Sequence, residues 1–389
     1  MDDNRAAAVQ RHDRAPLVPA YGGASLADLP GSLLAALGAA PADANVLGLE
    51  PVDRVCVFVV DGLGARLLDA HADRAPFLAS TRARALTAGF PATTVTSLCT
   101  LGTGLPPGEH GMLGLTLAVP GRNHLFNCLR WTLPRGMPPM DPRTWQPAET
   151  VYQRAARAGI VASYVAPAAF EGTGLTDAVY RGVRYVPADT VDERVAGVRA
   201  ALRDSPRAHV TVYYGDLDAT GHMVGWGAPQ WLDQLEIVDR MAERLAGALP
   251  PGAALYVTAD HGMINAEEKI DAQTTPGLSA GVAMFGGEAR ARHVYTEPGA
   301  APAVLEAWRE LLEGKAWVVS RQEAVDSGWF GPGVRSEWLG RIGDVVAVPY
   351  TDCAILASET HPVEAVFTGY HGSLTAAEQH IPLLEVSTR

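Results

Sequence analysis

Short apolar runs that end in polar residues recur along the chain and predict buried β-strands. One run covers residues 55–60 and is followed directly by Asp61 and Gly62. Two further runs, at 209–214 and 254–259, also lead into acidic residues, and another strand is expected at 160–165. Short runs rich in β-branched residues are typical of strands that are buried on both faces of a sheet.

Helical patterns fill the segments between these runs. Helices are predicted at 65–72, 75–84, 150–158 and 191–203. After residue 229, apolar residues recur at three- and four-residue steps, which predicts a long amphipathic helix through Leu232, Leu235, Val238, Met241 and Leu245. The alternation of strands and helices predicts an α/β protein whose mainly parallel central sheet is covered on both faces.

The pattern changes after residue 279 and returns to core-like segments near the carboxyl end. Strands at 282–285, 293–296 and 316–320 around a helix at 303–313 predict a small α+β cap. We therefore expect a core formed by 1–279 and 349–389, with the cap inserted at 280–348. In the returning part, Thr375 and Glu378 have the spacing of a capping box, so a short helix is expected there. The last strand, at 381–384, contains Pro382 and is expected at a sheet edge.

Composition limits the class of partner. The chain has 389 residues, of which 48% are hydrophobic, and a formal net charge of −12. This charge argues against a nucleic-acid polymer or an anionic membrane surface, whereas a small anionic substrate remains compatible with a bound metal. The four cysteines form no CxxC pair, and the polar N-terminus and the lack of a long apolar run predict a cytoplasmic protein. Nothing in the sequence indicates an oligomeric state.

Three predicted strands end in residues that commonly bind metals. These candidate ligands are Asp61, Asp218 with His222, and Asp260 with His261, and a later His371 between Tyr370 and Gly372 completes the set. Asp218 and His222 are four residues apart, so a helical turn places both on one face. Carboxylates mixed with imidazoles suit zinc first, and manganese or iron next. Three of each exceed the usual needs of one catalytic zinc and suit two divalent ions about 4 Å apart.

A charge count points to Thr94 as the nucleophile. Two divalent ions bring four positive charges, and the three aspartates bring three negative ones. A deprotonated Thr94 balances the set, because metal coordination makes a threonine hydroxyl reactive near neutral pH. Each feature alone also fits a structural role, since acids are common in turns and threonines are common as N-caps.

Five motifs, in this order and spacing, carry a resemblance to a known family. They read VFVVDG, FPATTVTSLCTLGTGLPPGEHG, LDATGHMVG, TADHG and GYHGSLT. Together they resemble the nucleotide pyrophosphatase/phosphodiesterase (type I phosphodiesterase) branch of the alkaline phosphatase superfamily. The resemblance covers residues 50–115, 205–265 and 365–389.

The resemblance implies a three-layer α/β/α fold of the alkaline phosphatase type and a hydrolase with two metal ions, usually zinc. By position, one ion would be held by Asp61, Thr94, Asp260 and His261, and the other by Asp218, His222 and His371. Thr94 would attack phosphorus in line and form a phosphothreonine, while the second ion stabilises the leaving oxygen. The implied substrate is a small phosphodiester or a nucleotide pyrophosphate.

One position departs from the family pattern. Diesterases of the family usually carry Asn three residues after the nucleophile, where it donates to a non-bridging oxygen, and this chain has Ser97 there. Ser97 is the expected substrate contact, with a shorter reach. A phosphomonoesterase or phosphonate hydrolase on the same core is therefore an alternative. A metal-binding scaffold without catalytic activity is another.

Overall fold

The computed structural model describes residue 9 and residues 15–388. Its strands, in chain order, are β1 (Arg54–Val60), β2 (Arg82–Thr87), β3 (Thr116–Ala118), β4 (Leu125–Asn127), β5 (Val161–Ala166), β6 (Arg184–Pro187), β7 (Ala208–Tyr214), β8 (Ala253–Thr258), β9 (Ile264–Asn265), β10 (Glu268–Asp271), β11 (Val282–Glu288), β12 (Ala291–Thr296), β13 (Ala316–Ser320), β14 (Val345–Pro349), β15 (Cys353–Leu356), β16 (Gly369–Tyr370) and β17 (His380–Ser387).

The helices alternate with these strands through most of the chain. They are α1 (Asp28–Ala36), α2 (Ala65–Ala70), α3 (Pro76–Ser80), α4 (Thr94–Thr103), α5 (Pro107–His110), α6 (Pro142–Trp145), α7 (Val151–Arg157), α8 (Gly174–Val179), α9 (Val191–Arg203), α10 (Asp216–Val224), α11 (Pro229–Gly247), α12 (Pro276–Ser279), α13 (Ala301–Leu311), α14 (Arg321–Asp326) and α15 (Ala376–Gln379). Short 3₁₀ segments occur at Ala42–Ala44, Ala168–Phe170, Ser336–Arg341 and Pro362–Val366.

A seven-stranded, mainly parallel sheet forms the centre of the molecule, as the alternation of strands and helices predicts. Its order is β2-β17-β8-β1-β7-β5-β6. The pairs β1–β7, β1–β8, β5–β7 and β5–β6 are parallel, and only β17 runs against its neighbours. β7 and β8 are buried along their whole length and β1 along all but its first residue, so both faces of the sheet are covered. The fold is therefore α/β with the sheet as the middle layer.

The last strand does not lie at an edge, which corrects one expectation. β17 is placed between β2 and β8. Pro382 pairs with Ala85 of β2, but the pairing with β8 starts only at Leu383, opposite Thr258. The proline therefore lies just beyond the end of β8, where its missing N–H removes no bond to that strand.

A smaller antiparallel sheet lies outside the central one. Its order is β11-β12-β14-β13. It has its own hydrophobic cluster, in which Phe285, Val294 and the fully buried Trp308 take part. This sheet falls in the region assigned to the inserted cap, and the boundaries at 280 and 348 stay a prediction.

The carboxyl ends of three neighbouring strands set the position of the candidate site. Asp61 follows β1, Asp260 follows β8, and α10 begins just after β7 and carries Asp218 in its first turn. Gly62 has a φ of +76°, and a Cβ there would lie 3.0 Å from the Cβ of Asp218, so this turn requires glycine. Crevices at the carboxyl ends of parallel strands are where open α/β sheets bind ligands. No helix among residues 15–388 is long and apolar enough to span a bilayer.

Candidate metal centre

The first group of predicted ligands surrounds the Thr94 hydroxyl. Thr94 Oγ1 lies 3.4 Å from each carboxylate oxygen of Asp61 and 3.3 Å from Nε2 of His261. His261 Nε2 is 3.4 Å from Asp61 Oδ1 and 3.5 Å from Asp260 Oδ2. Four side chains from three distant segments of the chain therefore place their donor atoms around one small space.

The second group lies beside the first. Nε2 of His222 is 3.2 Å from Asp218 Oδ2 and 3.2 Å from Nε2 of His371, which is 3.9 Å from Asp218 Oδ1. The rings of His261 and His371 stack with centroids 3.7 Å apart. Ligand atoms of Asp218, His261 and His371 lie within 4.8 Å of one another, so His261 links the two groups.

Backbone carbonyls determine which nitrogen each histidine presents. Nδ1 of His222 lies 2.8 Å from the Gly369 carbonyl, and Nδ1 of His371 lies 2.9 Å from that of Ala92. Nδ1 of His261 is 3.0 Å from the Gly262 carbonyl. When each Nδ1–H donates to its carbonyl, Nε2 is unprotonated and available as a metal ligand.

Unpaired oxygens indicate that the two groups fit cations. Asp260 Oδ1 accepts hydrogen bonds from the backbone N–H groups of Gly62 and His261, but its Oδ2 is buried without a hydrogen-bond partner. Asp218 Oδ1 is also buried and without a hydrogen-bond partner. Buried carboxylate oxygens normally have partners, so two such atoms beside imidazole nitrogens fit two divalent ions.

The electrostatics of the protein alone agree with this fit. Burial, with the negative charges of Asp260 and Asp218, raises the pKa of Asp61 well above its ordinary value. Burial would also raise the pKa of Asp218, but the pairing with His222 lowers it overall. Burial and the neighbouring His261 lower the pKa of His371. Nearby cations would favour the ionised carboxylates and the neutral imidazole.

Ser97, the predicted substrate contact, makes a hydrogen bond inside the protein. Ser97 is fully buried, and its hydroxyl donates to the backbone carbonyl of Asp260 at 2.7 Å. In this position it supports the turn that carries Asp260 and His261. Its role as a substrate contact stays a prediction.

Two polar residues at the site were missed by the sequence reasoning. Tyr213, near the end of β7, donates a hydrogen bond from its hydroxyl to Asp61 Oδ2. Glu288, the last residue of β11, is 5% exposed and interacts with the hydroxyl of Thr93. Burial raises the pKa of Glu288 to about 8. A lone acid at the end of an apolar strand was the available signal for Glu288.

The chain was compared with known protein families and with curated sequences, and one family model matches the part that contains the candidate site. Residues 55–374 match the family model described as type I phosphodiesterase / nucleotide pyrophosphatase. This range contains all seven predicted metal-centre residues, Thr94 included. A comparison with curated protein sequences finds no significant match.

Solved structures with the same fold include two kinds of enzyme. Murine ectonucleotide pyrophosphatase/phosphodiesterase 5, in an inactive form in complex with AMP, superimposes with a TM-score of 0.65 at 20% identity, over 85% of this chain and 87% of that one. Phosphonoacetate hydrolase from Sinorhizobium meliloti, in complex with phosphonoformate, gives a TM-score of 0.64 at 21% identity, over 86% and 90%. The chain therefore shares the fold of these structures, in agreement with the alkaline phosphatase-like fold expected from the motifs.

Proposed function

The chain belongs to the type I phosphodiesterase/nucleotide pyrophosphatase family, and from this membership we propose that it cleaves a small phosphodiester or nucleotide pyrophosphate through a phosphothreonine on Thr94. The family consists of metal-dependent phosphoester hydrolases, so the chain is an enzyme of that class. The observation that carries the finer proposal is the convergence of Thr94 with two groups of ligand atoms at the carboxyl ends of β1, β7 and β8.

We propose that these two groups hold two ions. One would be bound by Asp61, Thr94, Asp260 and His261, and the other by Asp218, His222 and His371. When bound, the ions would neutralise the carboxylates, lower the pKa of the Thr94 hydroxyl and stabilise charge on the phosphoryl oxygens. The mixture of carboxylate and imidazole ligands favours zinc, with manganese or iron next.

The surroundings of Thr94 support its role as the nucleophile. Thr94 is the first residue of α4, and Thr93, the N-cap, makes no side-chain capping bond. The N–H groups of the first turn are thus available to a phosphoryl oxygen, which the helix dipole also favours. Attack by Thr94 Oγ1 forms the oxygen–phosphorus bond as the bond to the leaving oxygen breaks. Water then hydrolyses the phosphothreonine and restores the hydroxyl.

The Ser97 hydroxyl already donates a hydrogen bond within the protein, so reactions other than diester hydrolysis are also considered. Because Ser97 already donates to Asp260, the non-bridging oxygen of a diester lacks the donor that Asn supplies in the diesterases this sequence resembles. A phosphomonoesterase or phosphonate hydrolase on this core is the alternative that this observation favours. The non-catalytic scaffold is a further alternative.

Paired chromogenic substrates separate the enzymatic alternatives. Metal-loaded protein is expected to hydrolyse bis-p-nitrophenyl phosphate faster than p-nitrophenyl phosphate. Hydrolysis of the monoester alone would remove the diester proposal. Phosphonoacetate, followed by release of inorganic phosphate, tests the phosphonate hydrolase. If metal-loaded protein turns over none of these substrates, the scaffold is favoured.

Substitution of Thr94 tests the nucleophile. Thr94→Ala is expected to lower kcat by at least about three orders of magnitude, because nucleophilic residues carry effects of this size. Thr96→Ala is the matched control, since its buried hydroxyl in the same helix has no hydrogen-bond partner. Trapping of a phosphorylated peptide containing residue 94 from acid-quenched wild type would identify the intermediate. Unchanged turnover by Thr94→Ala would exclude Thr94 as nucleophile.

We also propose a cytoplasmic location. All four cysteines are free and buried, which agrees with a reducing compartment. Fractionation of cells that produce the protein is expected to recover it with the cytosol, and recovery outside the cell would refute the proposal.

A further inference from the structure

One carboxylate near the centre has no place in either ligand group. Among the described residues, three carboxylate oxygens are buried without a hydrogen-bond partner: Asp218 Oδ1, Asp260 Oδ2 and Glu288 Oε1. The first two belong to predicted metal ligands. Glu288 comes instead from the small antiparallel sheet, and its free oxygen requires another partner.

Contacts on several sides place Glu288 beside the second ligand group. An added Cβ on Gly372, the neighbour of His371, would lie 3.2 Å from Cγ of Glu288. The Glu288 carboxyl group interacts with the hydroxyl of Thr93, and its charge interacts with His222. The carboxyl group therefore lies between the start of α4 and the segment that carries His371.

The neighbouring arginines already form ion pairs with other carboxylates and do not donate to Glu288 Oε1. Arg290 forms a buried ion pair with Glu378 at 2.6 Å. Arg292 forms another with Glu364, also at 2.6 Å, and donates to backbone carbonyls. Of the charges that face Glu288, Arg292 and His222 are attractive and Glu364 is repulsive. The free oxygen is thus left for a group from outside the chain.

The inference rests on the proposed function, which indicates on which side of the phosphorus atom the leaving group departs. In-line attack from Thr94, in the first group, expels the leaving oxygen on the opposite side, toward Asp218, His222 and His371. Glu288 borders that second group. We propose that Glu288 is a specificity-determining residue, which accepts a hydrogen bond from a donor on the leaving group and favours a cationic donor such as an ammonium group. A carboxylate on the leaving group would instead be repelled, as like charges disfavour binding.

Binding of three phosphonates of similar length tests the inference without relying on turnover. The probes are 2-aminoethylphosphonate, propylphosphonate and 3-phosphonopropionate, which end in a cation, a methyl group and an anion. Calorimetric titration of metal-loaded protein at pH 8.5 is expected to show the amine binding at least about tenfold more tightly than the methyl compound, as for a charge-assisted hydrogen bond. The carboxylate is expected to bind most weakly.

Two variants attribute this preference to one side chain. Glu288→Gln keeps the shape but removes the charge, and is expected to reduce the preference for the amine to below about threefold. Glu297→Gln changes an exposed acid directly after β12; it is the matched control and is expected to retain the full preference. Equal affinity of wild type for the amine and the methyl compound, or an unchanged preference in Glu288→Gln, would overturn the proposal.

Other outcomes separate this inference from the function on which it rests. If none of the three phosphonates binds, the phosphoryl site itself is refuted. If all bind equally, only the role of Glu288 is refuted. Should Glu288→Gln not fold, Glu288→Asp keeps the charge, so a retained order of affinities supports the proposal and a lost order contradicts it. A merely structural role would weaken all three ligands by the same factor.

Discussion

Tyr213 contacts a candidate ligand directly, although it is not a ligand itself. Its hydroxyl donates to Asp61, and hydrogen bonds of this kind orient metal-bound carboxylates. Tyr213→Phe is expected to weaken metal binding by about 10–100-fold, as is typical when such a partner is lost. Competition with a chromogenic chelator measures the affinity, and the structural change is limited to one hydroxyl.

The adjacent residue provides the control for this substitution. Tyr214 lies next to Tyr213 in β7, and its hydroxyl donates to Gln234 at 2.6 Å, away from the candidate ligands. Tyr214→Phe is therefore expected to leave metal affinity unchanged. Equal losses in the two variants would show a general disturbance of β7 rather than a role of the Asp61 contact.

The positions of the candidate ligands could be predicted from the sequence, but their neighbours could not. Asp61 and Asp260 directly follow apolar runs, and the ends of parallel strands meet at one edge of a sheet. Tyr213 is one of two adjacent tyrosines, and only the strand register shows which one points toward Asp61. Tyr213 pairs with Val59, which shares a face with Asp61 two residues later.

At the scale of elements, one buried ion pair joins the small sheet to the end of the core. Arg290 and Glu378 are 1% and 0% exposed, and their side chains approach to 2.6 Å. Glu378→Gln leaves the Arg290 charge buried without its counterion. The free energy of unfolding is therefore expected to fall by about 3–5 kcal/mol. Urea denaturation followed by tryptophan fluorescence, at constant metal concentration, measures the loss.

An exposed ion pair on the core serves as the control for the contribution of burial to stability. Arg184 and Asp204 form an ion pair at 2.9 Å with side chains that are 68% and 57% exposed. Asp204→Asn is expected to change the free energy of unfolding by less than about 1 kcal/mol, because water screens such pairs. Losses of equal size in the two variants would contradict the assigned role of the Arg290–Glu378 pair.

The Arg290–Glu378 pair also bears on the last helix, which was predicted correctly although its capping interaction was not. Thr375 and Glu378 have capping-box spacing, and a short helix does begin at Ala376. However, the Thr375 hydroxyl donates to Glu378 instead of capping the helix, and Glu378 also binds Arg290. The partner lies 88 residues away in sequence. The helix could be predicted from neighbouring residues, whereas the pairing of Glu378 with Arg290 could not.

For the whole molecule, the sequence predicted the parts that depend on order along the chain. The α/β class follows from the alternation of apolar runs and helical patterns, and the family follows from motifs in a fixed order. The substrate preference that we propose depends instead on how the small sheet packs against the core. That packing brings Glu288 to Gly372, a contact across 84 residues that no local pattern encodes.

Three buried histidines make the whole fold sensitive to acid. Burial lowers the pKa of His110 and of His293 to about 3, and that of His209 to about 4. An unfolded chain binds these protons near pH 6.5, whereas the folded protein does not. The unfolded state therefore holds more protons below pH 6.5. Stability is present above that pH and is lost as the pH falls from 6.5 toward 4.

His209 allows this expectation to be tested with one substitution. His209 lies in β7 with its ring edge-on to Tyr152, a contact that His209→Phe preserves. Relative to its value at pH 7, the stability of this variant should rise against wild type by about 1.4 kcal/mol for each pH unit below 6.5. Urea denaturation at pH 7.0, 5.5 and 4.5 measures this difference, in which metal binding largely cancels because both proteins keep the same ligands. Parallel pH profiles would mean that His209 is protonated equally in the folded and unfolded states, which its full burial opposes.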